Sequence, residues 1–145
     1  MRSILGAAIE EEADVTLVDM EAGLEHLSRS GGTLAYADVL LVIMEPSRKS
    51  ILTAGRTIIL AEELGIPRVY GVGNKAQEGD AEFFAEVCAE YNVPLAGIVP
   101  ADVDVAEADR QGKLLGPDEG EPVRAAVVRI VDFVDHALME MTGTR

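Results

Sequence analysis

A chain of 145 residues suits a single domain spanning 1–145, and at this size roughly 68–70% of the unfolded surface can be buried without staples. Twenty-six acidic against twelve basic residues leave a formal charge of −14, which repels nucleic-acid backbones and anionic membrane surfaces and argues against both as partners. The lone cysteine, Cys88, excludes an internal disulfide, no apolar run reaches membrane length, and MRSILGAAIEEE lacks a signal-peptide core, so the expected compartment is the cytoplasm.

In chain order, Ile4, Leu5, Ala8 and Ile9 share a helical face and predict a short helix over 2–13. Val15–Asp19 is a short apolar run with β-branched residues, expected as a buried strand. Residues 20–37 read as an acidic helix start followed by a glycine-bearing loop from Ser28 to Thr33. VLLVIM at Val39–Met44 is apolar throughout, which fits a parallel strand covered on both faces. Ser47 is placed to cap a helix whose apolar positions Ile51, Ala54, Ile58 and Ala61 run to about Leu64. Gly65 then sits where a left-handed C-terminal cap is expected, with Pro67 just beyond.

Arg68–Val72 is the third expected strand. Asp80 is placed to cap a helix to about Tyr91, in which Cys88 shares the apolar rhythm of Phe84, Val87 and Tyr91 and reads as a small buried hydrophobe. Leu95–Val99 is the fourth strand, and Pro122 opens a long helix to about Met141. Strands alternating with helices give an α/β fold, with a parallel sheet of about four strands flanked by helices.

In such sheets ligands sit beyond the carboxyl ends of the strands. Those ends carry Asp19 with Glu21, then Glu45-Pro46-Ser47, then Asn74-Lys75, then Pro100-Ala101-Asp102. A carboxylate at Asp19 can hold the water shell of a magnesium ion beside a phosphate, with Gly23 allowing close backbone approach; it can equally cap a following helix. Asn74 can pair with an adenine edge through its amide, or serve as an ordinary turn residue. Gln77 stands where a guanine-binding NKxD motif needs its carboxylate, so guanine specificity is poorly supported. Asp102, Asp104, Glu107 and Asp109 lack the spacing of a calcium loop and read as an acidic first turn suited to the helix dipole. His26 and His136 sit in neither an HxxxH nor an HExxH pattern. No GxxxxGK[ST] loop occurs in the sequence.

Taken together, VDMEAGLEHLSR, LLVIMEPSRKSILTAGR, LAEELGIPRVYGVGNK and GIVPADVDVAEADRQGKLL resemble, in order and over nearly the whole chain, the C-terminal part of MinD/ParA-type phosphate-loop ATPases. The likeness is strongest to the accessory ATPases that assist nickel insertion into carbon monoxide dehydrogenase. The resemblance implies a partial phosphate-loop NTPase fold of the three-layer, Rossmann-like kind, and ATP or ADP with Mg2+ as cofactor. It implies Asp19 as the magnesium-side acid, and Glu21 and Gly23 in the switch region after it. Asn74, Lys75, Pro100, Ala101 and Asp102 would surround adenine and its ribose. The family dimerises on ATP and holds metal with a cysteine pair at the dimer interface.

The phosphate loop, the first switch and that cysteine pair would all lie upstream of Met1. The family's phosphate-loop strand lies beside the Asp19 strand, so without it a gap is expected between Asp19 and Val39. The expected partners are a second copy, a missing N-terminal half, or carbon monoxide dehydrogenase. The first expectation for function is a split or truncated ATPase that is not competent alone. The other is a non-catalytic interaction module built on the same scaffold.

Overall fold

The computed structural model describes residues 15–20 and 37–143. The helix expected over 2–13, the loop from Ser28 to Thr33, and Glu21 and Gly23 lie outside the described residues. Within them the order is β1 (Val39–Met44), α1 (Arg48–Glu63), β2 (Arg68–Ala76), α2 (Asp80–Glu90), β3 (Leu95–Pro100), α3 (Val103–Gln111) and α4 (Glu121–Gly143). The strands form a parallel sheet in the order β1-β2-β3, with β1 in register with β2 from Val39 opposite Arg68 to Met44 opposite Gly73.

Local chemistry sets the ends of these elements. The Ser47 side chain accepts a hydrogen bond from the Ser50 N–H at 3.1 Å, as a helix cap should. At the other end of α1, Gly65 adopts φ 86°, the Gly65 N–H donates to Glu62 O and the Ile66 N–H donates to Ala61 O. This is the left-handed closure that Gly65 and Pro67 predict, and it satisfies carbonyls the helix leaves open. The cap expected at Asp80 moves by one residue. Gly79, at φ 87°, precedes the helix, and Asp80 is its first residue. The Asp80 carboxylate turns back to accept from the Gln77 N–H at 2.8 Å.

Side chains alternate across the strands, so the sheet has two different faces. On one, Met44, Ile51, Phe84, Val87 and Cys88 are fully or almost fully buried beneath α1 and α2, with Leu40, Val42 and Ile98 packed against them. Burying each large side chain contributes about 1.5–3 kcal/mol. Burial also pushes the Cys88 thiol up, which keeps it protonated and inert, as its apolar rhythm suggests. On the other face α4 lies over β3, its Ile130 against Gly97, and reaches β2 through an edge-to-face contact between Phe133 and Tyr70 at 4.8 Å.

The α/β class and the parallel sheet match the expectation, while three strands are described rather than about four. Val15–Asp19, expected as a buried strand, takes no regular secondary structure, and Leu17 is 91% exposed. A strand exists through a neighbouring ladder, and this run has none among the described residues. Conversely β2 outruns its expected end at Val72 by four residues, to Ala76.

Candidate functional site

The carboxyl ends of the three strands form one polar edge. At β1 the chain turns through Glu45-Pro46-Ser47, where the Ser47 N–H donates to Glu45 O at 2.8 Å and the Glu45 N–H to Ser50 Oγ at 2.9 Å. At β2 the ladder is irregular: Gly73 to Ala76 spans three residue steps where its partners Ile98 to Pro100 span two. The extra residue makes a bulge, the device by which strands re-aim side chains at their ends. Lys75 inside it has φ 56°, an uncommon backbone for a residue with a side chain. At β3 the Ala101 N–H donates to Ala76 O at 2.8 Å, which ties the base of the third loop to the bulge.

The bulge places Lys75 Nζ 3.2 Å from Glu45 Oε1, an exposed pair that spans the ends of β1 and β2. At this exposure such a pair contributes less than about 1 kcal/mol, so it orients rather than stabilises. Asn74 is half-buried beside it. Asp102 is half-buried and caps α3, its Oδ1 accepting from the Asp104 N–H at 2.8 Å and the Val105 N–H at 3.3 Å. Asp102→Ala is expected to cost about 0.5–2 kcal/mol in urea unfolding, with Asp102→Asn recovering most of it.

Of the residues expected at a nucleotide site, Asn74, Lys75, Pro100, Ala101 and Asp102 share this edge, with Pro100 half-buried and Ala101 exposed. Asp19 is exposed and outside any strand, and Glu21 and Gly23 are not among the described residues. Glu45, named in the sequence only as a strand end, proves to be the partner of Lys75. Nothing in the sequence pattern marks it, because the pairing depends on the bulge.

The chemistry of the edge fits one part of a nucleotide and not the other. A side-chain amide, a proline and backbone groups on a rigid sheet end suit a neutral base. Lys75 is already matched by Glu45, and Asp102 and Asp104 add negative charge, so the described edge does not fit a polyphosphate. No step of hydrolysis follows from these residues. Among the described residues no group of three or more His, Cys, Asp or Glu side chains could hold a metal ion. His136 lies on α4, its Nδ1 2.8 Å from Asp132 O.

The parallel sheet with helices on both faces and polar strand ends fits a partial phosphate-loop NTPase fold. Its fold is similar to that of the MinD cell division protein of Aquifex aeolicus, with a TM-score of 0.74 over 93% of this chain and 58% of that one, at 19% identity. No protein-family model matches the sequence. The chain is 34% identical over 119 residues to an uncharacterized ATP-binding protein of Methanocaldococcus jannaschii, covering 81% of this chain and 46% of that protein. It is 33% identical over 113 residues to the carbon monoxide dehydrogenase accessory protein CooC of Rhodospirillum rubrum, covering 77% and 41%. The sequence is similar to those of ATP-binding proteins, and the fold to that of MinD. It spans less than half the length of these curated relatives.

Proposed function

We propose that this chain forms the base-binding side of a CooC-related ATPase site and takes ATP or ADP through the adenine moiety. The supporting observation is the joined strand edge, where the 2.8 Å hydrogen bond from the Ala101 N–H to Ala76 O ties the Pro100–Asp102 loop to the end of β2, the strand that carries Asn74. The Asn74 amide reads the base edge, Pro100 and Ala101 wall its flat face, the Lys75 stem flanks it, and Asp102 sets the direction of α3. Asp19, followed by Glu21 and Gly23, holds Mg2+ once a phosphate-gripping portion is present. When bound, ATP supplies the energy of phosphoryl transfer. These residues alone bind and orient it and do not cleave it, because the sequence contains no GxxxxGK[ST] cradle.

The proposed partner is that phosphate-gripping portion. The relation to an accessory protein of carbon monoxide dehydrogenase makes that enzyme the proposed client, in the cytoplasm. No described helix is long and apolar enough to cross a membrane. A second reading, a non-catalytic interaction module, draws on the exposure of Ile43 at the sheet edge.

Calorimetry of the full chain with ADP tests the first reading. Weak binding is expected, reduced roughly threefold to tenfold by Asn74→Ala, the worth of one or two hydrogen bonds. Absence of heat at millimolar ADP would remove the nucleotide reading.

A further inference from the structure

The face of α4 that turns away from the sheet is apolar where a surface helix is normally polar. Ala126, Ile130 and Ala137 are buried and Phe133 meets Tyr70, which fixes the inward side. By the helical period the opposite side carries Arg124, Val128, Val131 and Asp135. An amphipathic helix keeps charged or polar residues on that side. Here Val128 is 59% and Val131 51% exposed, with Val127 beside them at 44%. The four positions step by four, three and four residues, the spacing of a seam between two helices.

We propose that this face is the interface of a nucleotide-independent homodimer, in which α4 pairs antiparallel with α4 of a second copy. The pairing goes beyond the base-binding reading and does not depend on it. Self-complementarity chooses the occupant. In a two-fold interface every contact occurs twice, because the same surface is used on both sides. An antiparallel pair centred between Arg129 and Ile130 sets Val128 on Val131 of the second copy and Arg124 on Asp135 of the second copy. Arg124 is already anchored, its Nε donating to Glu119 O and its Nη2 to Gly116 O, both at 2.9 Å. A guanidinium held in this way keeps further donors for a carboxylate.

Net charge does not prevent the pairing. The chain carries −14, but within 124–135 Arg124 and Arg129 balance Asp132 and Asp135, so the acidic excess lies outside the seam. A parallel arrangement would set Arg124 on Arg124 and Asp135 on Asp135, which like-charge repulsion disfavours. So short a seam buries little area, and the dimer is therefore weak and reversible.

Sedimentation velocity of the full chain without nucleotide, from about 10 µM to about 1 mM, is expected to show a monomer–dimer equilibrium. Val128→Lys, at an exposed position and so compatible with folding, is expected to weaken dimerisation at least about tenfold with circular dichroism and Tm unchanged. Asp135→Arg, which sets two arginines against each other, acts in the same direction. Cysteine pairing reads the register, since Cys88 is buried and does not compete. In an equal mixture of Val128→Cys and Val131→Cys chains, oxidised glutathione is expected to give the 128–131 disulfide in preference to 128–128 or 131–131. The proposal is overturned by a monomer throughout this range, by a dimer that Val128→Lys and Asp135→Arg leave intact, or by a preferred 128–128 disulfide.

Discussion

Phe84→Ala is expected to lower the unfolding free energy by about 3–5 kcal/mol, a large share of the roughly 5–15 kcal/mol that holds a small domain folded. Phe84 has no exposed surface and fills the space between α2 and the sheet. Its ring also explains Gly73, where a Cβ would lie 2.9 Å from Phe84 Cε2. The two positions therefore share one volume, and their substitutions should not add. Gly73→Ala alone is destabilising because the methyl meets the ring. In the Phe84→Ala background the same methyl enters the vacated space, so the double variant should be more stable than the sum predicts, by about 0.5–3 kcal/mol of coupling. Urea unfolding of the wild type, both single variants and the double variant measures this. Strict additivity would mean that the ring does not occupy the space beside Gly73. Because Asn74 and Lys75 directly follow, a disturbance here also reaches the proposed base-binding edge.

The second large effect is expected at Gly97, on the opposite face. A Cβ there would lie 2.5 Å from Ile130 Cγ1 of α4. Valine is a better strand former than glycine, so local propensity alone predicts that Gly97→Val stabilises β3. Packing predicts the reverse, at about 1–3 kcal/mol or more, because α4 must retreat from the sheet. The packing cost exceeds the propensity gain, so a fall in the urea midpoint is expected. Trimming the obstacle with Ile130→Ala in the Gly97→Val background should recover part of the loss. A Gly97→Val variant at least as stable as wild type would show that α4 is not held against β3 at this point.

These two glycines mark the boundary of what the chain's pattern reveals. The α/β class followed from short, continuous apolar runs such as β1 alternating with apolar residues at helical spacing over α1 and α2. Ser47 and Gly65 were readable because a cap is chemistry within a few residues. Asp80 came out one position from its expected role because Gly79, also nearby, supplies the left-handed residue that enters the helix. Val15–Asp19 failed as a strand for a different reason. Its β-branched composition is a preference, and a ladder neighbour is needed to realise it.

The candidate edge divides the same way. Asn74, Lys75 and Pro100–Asp102 were named from their position after apolar runs, and the structure does bring them to one edge. The extension of β2 to Ala76 and the bulge that turns Lys75 onto Glu45 were not legible. Each depends on groups that meet only when separate strands are in register.

The sequence by itself determined the kind of chain: a −14, aliphatic α/β domain whose segments resemble MinD/ParA-like ATPases in order, without a GxxxxGK[ST] motif. Local preferences and composition act through neighbours in the chain, so they can be read without a fold. Tertiary structure decided how that pattern is assembled, burying one face of β1 under α1 while Ile43, on the other face, stays 59% exposed. Burial and ladder pairing are properties of surfaces assembled from distant segments, and no stretch of sequence carries them alone.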